Sequence, residues 1–371
     1  MIVYPDFTNS ILNVTSTILK HYKAPTIYPS IPELEKELKK NFKHVVLILL
    51  DGMGMNIIDR HLNYKDFLSA HVVKTITSIF PPTTVAATNT VLSGLPPFSS
   101  GYLGWVQYFK KENTNLTVFT NQDFYDHKRI FDEVLRDKYL KYPLIYDQIK
   151  AFNPRTKTYE LFPNFRPNGF ASFKEQTEKV LEIIEQKSKT FTYVYWAQPD
   201  MVQHDYGIDS LETKNILRKL NEEAEELANK INDQTLLIFI ADHGLVDVKA
   251  FDLTDNKPLI RLLKRNPSIE SRATNFFVKP FKKKKFKSVF EDNYGAFFKL
   301  YTKNEIIKSG LLGYGKKHPM LDSFLGDFVA VATDEYMLEF LKGSSFKAHH
   351  AGLTRGEMEV PLIIYHTTID T

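Results

Sequence analysis

"HVVLILLDGMGMN" occupies residues 44–56, and its first seven residues, "HVVLILL" (44–50), decide the fold. They are apolar without alternation, so neither face of such a strand suits water. A strand of this kind is buried on both faces, as in a parallel sheet covered by helices on either side. Three more runs share the texture: "FTYVYWA" (191–197), "TLLIFIA" (235–241) and "VPLIIY" (360–365). Helical patterns separate them. "FKEQTEKVLEIIEQKSK" (173–189) puts Val180, Ile183 and Ile184 on one stripe, and "SLETKNILRKLNEEAEELANKIND" (210–233) does the same with Ile216, Leu220, Ala224 and Leu227. Strands alternating with helices predict an α/β fold with a mostly parallel central sheet and helices on both faces. Ligands of such sheets bind outside the carboxyl ends of the strands. Between residues 251 and 335 the chain turns richer in Lys, Phe and Gly. That stretch reads as a small inserted α+β cap, which leaves 1–250 and 336–371 as the α/β core.

Composition sets the outer bounds. A chain of 371 residues suits one large domain or a core with an insert, and its 28 phenylalanines and 19 tyrosines can fill that core. A net charge of +4 is too mild to point to a nucleic-acid polymer. The lysines of "KKKKFK" (282–287) read as a solvated loop. No cysteine is present, which excludes disulfides and thiolate metal sites. Any metal must be held by His, Asp, Glu or hydroxyl groups. The N-terminus lacks the basic and apolar regions of a secretory signal. No apolar run approaches the roughly 20 residues that span a bilayer. The expectation is a soluble, cytoplasmic protein with no membrane partner.

Four clusters of potential metal ligands follow a strand or sit in a glycine-rich turn. "LILLDGMGMN" (47–56) ends its strand on Asp51. "WAQPDMVQHDYG" (196–207) spaces Asp200 and His204 four residues apart, on one face if the chain turns helical after Pro199. "FIADHGLVD" (239–247) sets Asp242 beside His243, and a strand-to-loop corner lets both converge on one ion. "KAHHAGLTRGEMEVPLI" (347–363) carries His349 and His350 ahead of the last strand. Singly, the first, second and fourth read first as a turn, a cap or a surface histidine, and Asp242-His243 reads either way. A charge ending a buried strand nonetheless costs desolvation unless paired, and all four are expected at one edge of one sheet. Asp and His without sulfur suit Zn²⁺, or Mn²⁺ where oxygen dominates. Two divalent ions about 4 Å apart can clamp the attacking and leaving oxygens of a phosphoryl displacement.

A fifth stretch supplies hydroxyls. In "SIFPPTTVAATNTVLSG" (78–94), Pro81 and Pro82 set a turn, a helix of small residues follows, and Gly94 closes it. The start of that helix combines orphan N–H groups with the positive end of the dipole, an anion site. Thr83 and Thr84 there are either capping residues or, with a metal beside them, a nucleophile.

In order along the chain, "LLDGMG", "FPPTTVAATNTVLSGLPPFSSGYLGW", "QPDMVQHDYG", "ADHGLVDV" and "HHAGLTRGEMEVPLI" resemble the alkaline phosphatase superfamily, in its type I phosphodiesterase/nucleotide pyrophosphatase branch. The resemblance implies that Thr84 is the nucleophile. It implies one metal on Asp51, Thr84, Asp242 and His243 and a second on Asp200, His204 and His350. His350 is preferred to His349 because the family's ligand directly precedes a run like Ala351-Gly352-Leu353-Thr354. The implied activity is hydrolysis of phosphodiester or nucleotide pyrophosphate bonds in a small phosphorylated substrate. It would run through a phosphothreonine at two divalent ions, zinc first and manganese as the alternative. Phosphomonoester or phosphonate monoester hydrolysis on the same scaffold, or non-catalytic phosphate binding, are the rival readings. Two departures stand out. Trp105 occupies the place where nucleotide pyrophosphatases carry a phosphate-holding asparagine, and Ala86-Ala87-Thr88 replaces the usual Pro-Asn-His. Backbone N–H groups after Thr84 are left as oxyanion donors. Relatives carry caps over the metal edge, which makes Arg272, Lys316, Lys317 and His318 candidates for substrate contact.

Overall fold

The structure is a computed structural model that describes residues 1–343 and 345–367. Its centre is a six-stranded sheet in the spatial order Val72–Thr77, Glu359–Tyr365, Thr235–Ile240, His44–Leu50, Thr190–Trp196, Lys157–Leu161. His44–Leu50 lies between two parallel partners, Thr190–Trp196 and Thr235–Ile240, and Lys157–Leu161 extends the parallel part. Every residue of His44–Leu50 is buried, as its unbroken apolar run requires. Helices Ile11–His21, Thr84–Ser93 and Ile145–Phe152 pack together as one layer. Helices Met55–His61, Phe173–Ile184, Asp200–Tyr206 and Leu211–Ala228 form another.

The sheet is mixed, which corrects the expectation of a mostly parallel one. Glu359–Tyr365, which contains "VPLIIY", runs antiparallel to both of its neighbours. The cause is chain length. Parallel neighbours need a crossover of about a dozen or more residues. Only the short helix Arg355–Met358 separates the His350 loop from this strand. The chain therefore enters the sheet at the edge where His350 lies and must run back down. Its run of apolar residues reports burial on both faces but carries no direction.

A second sheet of seven antiparallel strands packs beside the first. Its order is Phe298–Thr302, Phe328–Ala332, Ala273–Phe276, Ser268–Ile269, Val106–Phe109, Thr114–Thr117, Gln122–Asp123. Four of these strands fall within 251–335. The other three come from 106–123 and join through the pairing of Ile269 with Val106. Helix Lys283–Tyr294 buries Phe286, Phe290 and Tyr294 in a separate apolar cluster under this sheet. The five lysines of "KKKKFK" lie exposed at the start of that helix. No helix among the described residues is long and apolar enough to cross a membrane.

Candidate active site

The parallel strands end together, and that placement assembles the site. Leu50, Ile240 and Trp196 finish adjacent strands, so Asp51, Asp242 and Asp200 emerge at one edge. The backbone N–H of Asp200 donates to the Asp51 carbonyl at 2.9 Å, which draws the two corners together. Gly52 sits at φ +73°, and a Cβ there would lie 2.7 Å from the Asp200 Cα. Only glycine lets these backbones approach so closely. Val72–Thr77 points the same way and delivers the turn at 78–83 to the same edge.

Thr84 is the first residue of helix Thr84–Ser93, and Thr83 is its N-cap. The Thr84 hydroxyl lies 3.4 Å from Asp51 Oδ1 and 3.2 Å from His243 Nε2. Gly94 ends the helix at φ +69°, the left-handed cap expected of it. Thr88 and Ser93 donate back to the carbonyls of Thr84 and Asn89, so these hydroxyls are internal to the helix.

The acids and histidines interlock. Asp51 Oδ2 accepts from the buried Tyr195 hydroxyl. Asp242 Oδ1 accepts from the backbone N–H groups of Gly52 and His243, each at 3.0 Å. His243 Nε2 lies 3.6 Å from Asp51 Oδ1 and 3.3 Å from Asp242 Oδ2. Asp200 Oδ2 lies 3.4 Å from His204 Nε2, and Asp200 Oδ1 lies 3.9 Å from His350 Nε2. The His243 and His350 rings stack at 3.9 Å.

Three histidines share one arrangement. Nδ1 of His204 lies 2.8 Å from the Ala348 carbonyl, that of His243 lies 3.2 Å from Gly244, and that of His350 lies 3.2 Å from Pro82. A carbonyl on Nδ1 holds the proton there and leaves the Nε2 lone pair free for a metal. His349 Nδ1 lies 3.0 Å from the His350 carbonyl oxygen and 2.9 Å from the His350 backbone nitrogen, and its ring packs edge-on against His204 and Phe346. Ala351, directly after His350, has φ +94°, a strained value for a residue with a Cβ.

This donor set fits divalent cations. Asp200 Oδ1 and Asp242 Oδ2 are buried with no hydrogen-bond partner in the structure. Ligand atoms of Asp200, His204 and His350 lie within 4.8 Å of one another, and so do those of Asp51, Asp200 and His243. Burial pushes the Asp200 and Asp242 carboxyls up to about 7; repulsion from Asp51 adds to this at Asp200, and repulsion from Asp200 adds to it at Asp242. Burial pushes His243 down to about 3. Crowded acids and neutral imidazoles without a countercharge are the electrostatic signature of a cation site.

The candidate substrate contacts of the insert lie elsewhere. Arg272 is wholly buried and grips both oxygens of Glu357, at 2.6 and 2.8 Å, and the carbonyls of Tyr336 and Asp334. Glu357 in turn accepts from the N–H groups of Gly352 and Thr354. Arg272 thus ties the second sheet to the loop that carries His350. Lys317 pairs with Asp322, and His318 stacks on Phe324 and faces the Tyr139 carbonyl. Lys316 is exposed. The residue that sequence reasoning missed is Glu270, which accepts from the Thr83 hydroxyl and the Trp105 N–H. In "IESRAT" it looks like a surface turn, and nothing in the sequence distinguishes it.

Comparison with known proteins places this geometry in a class. The family model of type I phosphodiesterases/nucleotide pyrophosphatases matches residues 45–353, so the chain belongs to that family of hydrolases. Among solved structures, it is similar to mouse ectonucleotide pyrophosphatase/phosphodiesterase 5, in an inactive form in complex with AMP. The two share 18% identity over 86% of this chain and 87% of that one, with a TM-score of 0.64. The human counterpart matches at 17% identity over the same shares, with a TM-score of 0.62. No curated protein matches.

Proposed function

We propose that the chain hydrolyses phosphodiester or nucleotide pyrophosphate bonds, with Thr84 as nucleophile and two divalent cations in the site. One observation carries the reading: the Thr84 hydroxyl stands at a helix N-terminus, 3.4 Å from Asp51 and 3.2 Å from His243. Asp51, Asp242, His243 and Thr84 would hold one cation, and Asp200, His204 and His350 the other. Asp200 lies close enough to bridge the two groups. Three histidines among the donors favour zinc, with manganese as the alternative. When bound, the cations supply charge neutralisation and lower the pKa of the groups they touch.

The chain's own residues do the rest. Thr84 Oγ1 gives up its proton and attacks phosphorus in line. One ester oxygen leaves and takes up a proton from water, and the remaining phosphoryl ester stays on Thr84. Water then attacks that phosphorus, releases the monoester product and returns the Thr84 hydroxyl. The N–H groups of the first helical turn have no intrahelical acceptor and receive the phosphoryl oxygens. Asp51 and His243 hold Thr84 in place, and Tyr195 fixes Asp51. The AMP bound to the mouse relative supports a small nucleotide substrate, and its inactive form is a threonine-to-alanine variant. Glu270 of the second sheet meets the nucleophile turn at the Thr83 hydroxyl and also accepts the Trp105 N–H.

The test is a rate panel on bis-p-nitrophenyl phosphate, a thymidine p-nitrophenyl ester, p-nitrophenyl phosphate and a phosphonate monoester, with metal content measured on the same sample. Faster diester turnover that tracks bound metal is the expected result. A monoester preference above about tenfold, roughly 1.4 kcal/mol in barrier, overturns it in favour of monoester chemistry.

A further inference from the structure

Glu270 is a buried acid that the mechanism above does not use. It sits at the tip of a tight hairpin between Ser268–Ile269 and Ala273–Phe276, closed by reciprocal backbone bonds between Glu270 and Ala273 at 3.2 Å. Ile269 precedes it at φ +76°, a strained conformation for a β-branched residue. The strained tip turns Glu270 inward, where it is 5% exposed. Its Oε1 accepts the Thr83 hydroxyl at 2.6 Å and the Trp105 N–H at 2.7 Å. Thr83 immediately precedes the proposed nucleophile, and its hydroxyl makes no capping bond to the helix. Both partners are neutral. Among the described residues no cation pairs with Glu270. Its charge and that of Asp200 repel each other.

From this geometry we infer that Glu270 is a specificity-determining residue that disfavours substrates with a second negative charge on phosphorus. The inference rests on the proposed Thr84 chemistry. A diester at phosphorus carries one negative charge, and a monoester or inorganic phosphate carries two near pH 8. The metals and the helix N-terminus attract either ligand. A fixed carboxylate beside the nucleophile turn adds repulsion that grows with ligand charge. In a poorly solvated cleft, one extra charge opposed at several ångströms is worth about tenfold or more in binding. The two neutral donors fix Glu270 through Oε1 without neutralising it, so its charge stays beside the nucleophile turn.

The test compares Glu270→Gln with Thr83→Val, both loaded with metal, at about pH 8.5. That is above the value of about 7 to which burial pushes this carboxyl. Glutamine keeps the acceptor oxygen and removes the charge. Valine removes the hydroxyl and keeps the charge. The expected result is that Glu270→Gln raises the monoester-to-diester ratio of kcat/KM by about tenfold and binds inorganic phosphate about tenfold more tightly by calorimetry. Thr83→Val leaves that ratio within about twofold. An unchanged ratio and phosphate affinity in Glu270→Gln overturns the inference. So does an equal rise in Thr83→Val, because loosening of the turn would then be the cause. If glutamine unfolds the chain, Glu270→Ala is read by the same two measurements. Wild-type protein inert toward every ester sinks the hydrolase reading instead, and phosphate calorimetry still decides the role of Glu270.

Discussion

The strand ends of the central sheet and the hairpin tip of the second sheet both place buried charges around one cleft, with opposite degrees of completion. Asp200 and Asp242 each keep an oxygen without a partner, and no lysine or arginine among the described residues stands against them. Arg272 and Glu357 satisfy each other and the carbonyls and N–H groups around them. Glu270 falls between these cases, hydrogen-bonded but not neutralised. Open valence marks where a ligand is to be bound, and closed valence marks where geometry is to be held. A buried charge alone distinguishes neither, so its remaining partners have to be counted.

The comparison breaks most visibly at Thr84. Thr84→Ala is expected to lower diester kcat by about 10³-fold or more while metal content stays within about twofold, read by steady-state kinetics and elemental analysis. Retention of most activity would make the strand-end cluster a binding site without a nucleophile. Arg272→Met is next. Removing one partner of a closed buried pair should cost about 3–5 kcal/mol in urea unfolding, and adding Glu357→Leu should recover part of it. An additive double mutant would show that the pair is not a closed unit. Chelation of metal should then cost about 3 kcal/mol of stability, relative to metal held near 100-fold above its dissociation constant, and zinc or manganese should restore it. No thermal shift on chelation would contradict the open-valence reading.

The smallest effect lies at the other end of the same central strand. His44 is buried, its Nε2 has no partner, and burial pushes it down to about 4. Its folded value lies below the unfolded one, so its stability contribution is present above about pH 6.5 and is lost as pH falls toward 4. His44→Gln should flatten that acid limb by about 2 kcal/mol in chelated protein, with the wild-type difference removing the contribution of other groups. Equal acid limbs in the two proteins would show that this buried imidazole is not held neutral.

Legibility in the sequence followed the same division. Asp51, Asp200 and Asp242 were readable because an unbroken apolar run makes a terminal carboxylate conspicuous, and sheet geometry puts such ends at one edge. The direction of Glu359–Tyr365 was not readable, since burial on both faces looks the same for either direction. Nor was the membership of residues 106–123 in the second sheet, whose strands there are two to four residues long and pair through distant partners. Glu270 and Arg272 look like solvated turn residues in "IESRAT", and only long-range packing buries them. Arg272, read as a substrate contact, is held by Glu357, 85 positions away.

The central claim is that Thr84 becomes covalently phosphorylated during turnover. Rapid acid quench of metal-loaded protein with bis-p-nitrophenyl phosphate, followed by peptide mass spectrometry, tests it most directly. The account predicts a nitrophenyl-phosphoryl adduct on the peptide containing Thr84, absent from chelated protein and from Thr84→Ala. Full turnover with no adduct on that peptide, together with an active Thr84→Ala, would contradict it.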